Sequence, residues 1–370
     1  MPNALAATDP ITPEWLTEAL RGAGTLPTGS VVACEVGAND AFNSTAAHLT
    51  LTYSADAPAD APRRLFLKRN LDVAWAIEAA RDEVIFYQTV ATLDSRPPMV
   101  IPCYLAAFDA QRGASTLLLS DVSASHAPPL TRDDLLAGHA APDDAALDQA
   151  IDTLAGFHAF WWERPELGTT FPLAGWYGDA GRFAAHVERR RGEWARFIAV
   201  EGAWLPANLR TLYEDALARL PDVWEAGLGA RMTARRGVTL VQGDCYLTQF
   251  LIPRPGVSAP TYLIDFQGVG ADLPPFDLLH LLVNFWTREQ RQQNDRELLA
   301  LRRYYAGLLA CGVRDYRWDD LMASYRQILT IMLFYPVWDE TNGSPRSYWL
   351  PKMRSLAAAY QDHCLAGDIR

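Results

Sequence analysis

Three oxygen-bearing side chains fall within one short stretch of the 370-residue sequence. Asp244 follows the apolar run Thr239-Leu240-Val241, Gln249 lies five positions further on, and Asp265 follows Tyr262-Leu263-Ile264. Such runs read as strands, so both carboxylates sit at strand ends, where a rigid scaffold presents side chains to a ligand. An acid in that position can orient a hydroxyl and accept its proton. A second acid with an amide oxygen suits Mg²⁺, a hard cation that takes oxygen ligands and phosphates. Turn formation is the plainer role for such Asp residues. A glycosidase pair is a distant third reading, because nothing else suggests a sugar cleft.

The length suits two domains, and the sequence changes character near residue 124. Before it, strand-like segments dominate: 30–36, 47–53, 65–68, 104–108 and 115–119, with one helical segment over 73–93. After it, amphipathic helices are predicted over 145–162, 180–200, 208–226, 288–311, 318–337 and 347–364. The β-like island 238–266 is embedded among them. The reading is a two-lobed plan, a β-rich lobe over 1–124 and a helical lobe over 125–370.

The chain is 49% hydrophobic and 21% charged, enough to bury a large core. Its 33 basic residues against 44 acidic ones give a net charge of −11, the wrong sign for a general nucleic-acid binder. Only two of the 33 cations are lysines, Lys68 and Lys352. Five scattered cysteines show no metal-ligand spacing. The start, MPNALAATDP, lacks the basic and apolar regions of a signal peptide, and no apolar run approaches the roughly 20 residues of a membrane span. A cytoplasmic protein that engages neither nucleic acid nor membrane is expected.

The segment Gln242-Gly243-Asp244 through Gln249, followed by Ile264-Asp265-Phe266-Gln267, resembles the catalytic and metal segments of the aminoglycoside phosphotransferase and choline kinase-like family. Five further segments resemble that family in order. Leu65-Phe66-Leu67-Lys68 matches the phosphate-binding strand, and Glu83 the helix glutamate that pairs with its lysine. Leu117-Leu118-Leu119-Ser120-Asp121-Val122 matches the adenine-binding hinge, Leu154-Ala155-Gly156-Phe157-His158 an early helix, and Pro275-Phe276-Asp277-Leu278 the segment after the metal loop. The resemblance spans roughly residues 30–340. It implies an α+β, two-lobed protein-kinase-like fold and an ATP- and Mg²⁺-dependent phosphotransferase acting on a small-molecule hydroxyl: aminoglycoside, choline-like, sugar or other alcohol.

By this match Asp244 is the catalytic base, Asp265 and Gln249 bind the metal, and Lys68 with Glu83 holds the phosphates. Leu119, Asp121 and Val122 address adenine. A compact ammonium suits point-charge phosphate binding in a way the Arg fork does not. The sequence departs from the family in three places. Gln242 stands for the usual His, Gln249 for the usual Asn, and the phosphate-covering loop Gly37–Thr45 has one glycine. There Asn43, Ser44 and Thr45 are the substitute donors. These departures motivate an alternative, a nucleotide-binding pseudokinase with a scaffold role.

Other conspicuous residues have plainer readings. Asp277 braces a loop or caps a helix, Gln242 supports the loop by hydrogen bonding, and His158 and His280 are hydrogen-bonded core residues. Trp161, Trp162 and Trp338 pack the core. Arg189-Arg190-Arg191 forms a solvated helix face. Asp319-Asp320 and Asp339-Glu340 read as solvated surface, with reception of a cationic acceptor as the alternative. Lys352 has no motif around it.

Overall fold

The computed structural model describes residues 2–39, 44–138 and 141–365. Its chain forms two compact units, Met1–Ala127 with Pro253–Val269, and Pro128–Ile252 with Gly270–Arg370.

The first unit is built on an antiparallel sheet of five strands: β1 (Val31–Asn39), β2 (Ser44–Tyr53), β3 (Arg64–Asn70), β4 (Cys103–Asp109) and β5 (Ala114–Ser120). Their order is β1-β2-β3-β5-β4. Alternation along β3 sends Leu65 and Leu67 into a core with Leu49, Leu51, Leu105 and Leu118. Lys68, one residue on from Leu67, points to the opposite face, as the two-residue period of a strand requires. Lys68 pairs across the sheet with Ala46 and Leu117.

Helix α1 (Pro13–Gly22) contributes Leu16, Ala19 and Leu20 to the same core. The strand-dominated sequence reading passes over this helix. Its signal is nevertheless present: Thr12 caps it by accepting from the Trp15 amide at 3.2 Å, and Pro13 opens the first turn. Helix α2 (Ala74–Ala91) faces the Lys68 side and buries Ala80, Glu83, Val84, Phe86, Tyr87 and Val90. The segment 253–269 returns to this unit late in the chain, the Leu263 amide donating to the Met99 carbonyl at 2.9 Å. A single division near residue 124 does not contain that return.

The second unit is mainly helical, and two predicted helices are interrupted. The 288–311 segment divides into Arg288–Gln292 and Arg296–Ala310, because Asn294 and Asp295 take φ of 54°. The 318–337 segment divides into Trp318–Met332 and Tyr335–Thr341, with Pro336 in the first turn of the second piece. Within the unit, Thr239–Val241 pairs antiparallel with Gly270–Asp272 and fixes the start of the loop that carries Asp244. No described helix is long and apolar enough to cross a membrane.

Replacing the cap, Thr12→Ala, is expected to destabilise the first unit by about 1 kcal/mol, the ordinary loss for such a cap. Chemical denaturation should show the lowered midpoint; an unchanged midpoint would mean that α1 does not depend on it.

Candidate functional site

In the first unit three charged groups converge. The Lys68 ammonium lies 2.7 Å from Glu83 Oε2 and 2.5 Å from Asp265 Oδ1. Glu83 is 2% exposed, and its other oxygen accepts from the Phe266 amide at 3.2 Å. Burial works against the Lys68 charge, but Asp265 and Glu83 outweigh it and hold the ammonium above its ordinary range. Burial raises Glu83 above the usual carboxylate range, assisted by Asp265 and opposed by Lys68.

Asp265 has left-handed backbone geometry, φ 62° and ψ 64°. Asp adopts this region more readily than most residues, and such geometry persists where surrounding packing enforces it. Here Phe266 supplies the packing: it is buried, stacked on Phe86 at 3.8 Å between ring centres and edge-on to Tyr87 at 5.9 Å. The same helix therefore delivers Glu83 to the lysine and the aromatic bed that fixes Asp265.

In the second unit the loop after Val241 is held by a buried carboxylate. Asp277 accepts from the Gln242 amide at 2.7 Å and from the Gly243 amide at 3.0 Å. His158 Nε2 lies 3.1 Å from Asp277, while its Nδ1 meets the Tyr304 hydroxyl at 2.7 Å. Gln242, fully buried, accepts from the Asp244 amide through its side-chain oxygen at 2.8 Å. Gly243 takes φ 94°, which a Cβ would disfavour. These restraints leave Asp244 exposed at the loop tip, while Cys245, Tyr246 and Leu247 anchor the next turn in the core. Gln249 is half-buried on the short turn Leu247–Gln249, its amide donating to the Tyr246 carbonyl at 2.9 Å.

No protein-family model matches the chain, and no curated protein matches its sequence. Solved structures do resemble it. The aminoglycoside phosphotransferase from Alicyclobacillus acidocaldarius subsp. acidocaldarius has a TM-score of 0.50 at 15% identity, covering 96% of each chain. The Plasmodium vivax ethanolamine kinase has a TM-score of 0.52 at 9% identity, covering 89% of this chain and 82% of its own. The chain has the aminoglycoside phosphotransferase and choline kinase-like fold.

Within this kinase-like fold the other nucleotide-site candidates are distributed over the first unit. Leu119 is a buried member of β5, paired with Phe66 and Cys103. The Asp121 carboxylate is already engaged by His48 at 3.0 Å, Arg64 at 2.9 Å and the Ser123 amide at 2.9 Å. Burial opposes its ionisation, but these partners outweigh it and take Asp121 down to about 2. The Val122 carbonyl accepts from the Ser125 and His126 amides. Ser44 is buried, and the Thr45 hydroxyl lies 3.5 Å from the Arg69 carbonyl. Residues 40–43, including Asn43, lie outside the described residues.

Several plain readings of the kinase-like fold need correction. Arg190 is fully buried and paired with Glu193, not part of a solvated face. It continues the buried stripe Phe183, His186, Val187 and Trp194 at helical spacing, a pattern the three-arginine run obscures. Asp339 is likewise buried, 2.7 Å from Lys352. Lys352 in turn shares a buried stripe with Trp349, Met353 and Leu356, which is the signal that could have placed it. Cys245 is buried, and burial pushes its thiol well above the ordinary range, so it offers no ready nucleophile.

Burial also pushes Asp272 up to about 7, although Tyr177 donates to it at 2.6 Å. A carboxyl raised on folding stabilises the fold fully below its unfolded value, roughly 3.9, and loses that contribution as pH rises through the folded value. The stability gap between the protein and its Asp272→Asn variant should therefore move in favour of the variant between pH 4 and about 7. Melting temperatures across that range check the sign; a constant gap would contradict it.

Proposed function

We propose that the chain is an ATP-dependent phosphotransferase that transfers the γ-phosphoryl group to a hydroxyl of a small molecule. The observation that carries this reading is the Lys68 ammonium held between Glu83 and Asp265. Glu83 and the Phe86–Phe266 stack fix the two ends of that arrangement. Lys68 then offers a compact positive charge to the α- and β-phosphates. Leu119, Asp121 and Val122 would border adenine through their backbone, and Ser44 and Thr45, the first residues of β2, would follow the phosphate-covering loop.

Asp265 and Gln249 supply a carboxylate and an amide oxygen, the donor types that suit Mg²⁺ alongside phosphate oxygens. When bound, Mg²⁺ would neutralise phosphate charge. Gln249 is one methylene longer than the family's Asn, so its turn sets how well the amide reaches. Asp244, exposed on a loop braced by Asp277 and Gln242, would orient the acceptor hydroxyl and take its proton. The acceptor oxygen bonds to the γ-phosphorus as the bond to the β-bridging oxygen breaks, and ADP leaves. Catalysis of this kind is chiefly positioning and charge neutralisation. The intact Lys68–Glu83–Asp265 arrangement favours this enzyme over a nucleotide-binding scaffold.

Asp244→Ala should lower acceptor-dependent ADP release by about a hundredfold or more, the scale of a lost general base, with ATP affinity nearly unchanged. Steady-state turnover and calorimetry on the same preparation check both halves. Full turnover in the variant would remove Asp244 from the mechanism.

A further inference from the structure

The helical unit carries a run of aromatic rings that begins beside the proposed base. Tyr246 lies two residues after Asp244, and its amide donates to the Asp244 carbonyl at 2.8 Å. From Tyr246 the ring centres run 5.4 Å to His280, 6.2 Å to Tyr335 and 5.5 Å to Trp176. Trp338 stands 5.6 Å from Trp176. Tyr246 and His280 are buried, whereas Tyr335, Trp176 and Trp338 each keep part of their surface open. A core-packing role for Trp338 therefore accounts for only part of its surface.

The charges along this wall disfavour a cationic acceptor. Arg190 already lies over Trp176 at 5.0 Å and over Tyr335 at 5.8 Å, with Arg189 over Trp176 at 5.6 Å. Lys352 lies over Tyr348 at 4.6 Å, and Tyr348 is hydrogen-bonded to Tyr246. A quaternary ammonium would compete with these cations for the same ring faces. The neighbouring carboxylates are engaged as well: Glu193 with Arg190, Asp339 with Lys352, and Asp272 with Tyr177. His280 and His186 add no charge near neutral pH, since burial takes them down to about 4 and about 3.

Two buried groups at the far end of the wall retain unspent hydrogen-bonding capacity. Arg190 Nε and Nη2, and both ring nitrogens of His186, have no partner among the described residues. Both side chains lie against Trp176, His186 at 6.2 Å between ring centres. Buried donors of this kind normally find an oxygen.

We propose that the acceptor, given the phosphotransferase reading above, is an uncharged alcohol with an apolar, ring-bearing body and a hydrogen-bond-accepting oxygen. Its hydroxyl meets Asp244, and its body lies along the partly open faces of Tyr335 and Trp176, toward the end of the wall behind which Arg190 and His186 are packed.

The test is direct binding of 4-benzyloxybenzyl alcohol, an uncharged two-ring alcohol with an ether oxygen, followed by tryptophan fluorescence and calorimetry without nucleotide. Choline and kanamycin serve as the cationic probes. The neutral alcohol should bind at least about tenfold more tightly than either, and Trp176→Ala should weaken it about five- to tenfold, as loss of an aromatic contact does. Trp338→Ala provides a second, partly exposed position should the first variant fold poorly. Tighter binding of choline or kanamycin, or a neutral-alcohol affinity indifferent to both wall variants, would overturn the inference. Wall-dependent binding without ADP release from any hydroxyl compound would instead overturn the phosphotransferase reading on which it rests.

Discussion

One ammonium between two carboxylates constrains more of this molecule than any other contact. Lys68 is useful only if β3 has the register that turns it away from the core containing Leu65 and Leu67. Glu83 is useful only if α2 lies on that face, and Asp265 only if its backbone enters the left-handed region. Charges brought this far from water depend on each other. Removing one partner of a buried pair typically costs about 3–5 kcal/mol, because the remaining charge is left uncompensated. The arrangement is therefore costly as a stabilising device, which accords with the phosphate-binding role proposed for it.

The helical unit uses a different device to fix the loop that carries Asp244. Asp277 spends its carboxylate on two backbone amides and a buried His, so the conformation before Asp244 is set by hydrogen bonds to the main chain. Gln242 adds a side-chain contact to the Asp244 amide. Its amide side chain thereby braces the backbone that leads into Asp244. The second lysine, Lys352, joins Asp339 to the aromatic surroundings of Tyr348 and Tyr246. Both lysines in the chain thus lie in ion pairs, Lys68 with Glu83 and Asp265, and Lys352 with Asp339 beside Tyr348.

Much of this was legible in the sequence because strands with one buried face alternate with a period of two. The five strands of the sheet and the three pieces of the β-like island follow the apolar runs closely. Helix interruptions were less legible: the positive φ at Asn294 and Asp295 has no apolar signature. Helix α1 was masked by the surrounding strands, although Thr12-Pro13 marks its start. The roles of Arg190, Asp339 and Lys352 are obscured in the sequence because a charged side chain interrupts the apolar signature of a buried helical stripe. Each occupies a buried helical position whose cost is met by a specific partner. The Phe86–Phe266 stack joins residues far apart in the chain, and no local pattern announces it.

The central claim is that Lys68, Glu83 and Asp265 form a phosphate-binding centre. Calorimetric titration of ATP in the presence of Mg²⁺, comparing the protein with Lys68→Met and with circular dichroism as the check on folding, tests it most directly. The folded variant is expected to bind ATP at least about tenfold more weakly, a loss of roughly 1.4 kcal/mol. Equal affinity in a folded Lys68→Met variant would contradict it.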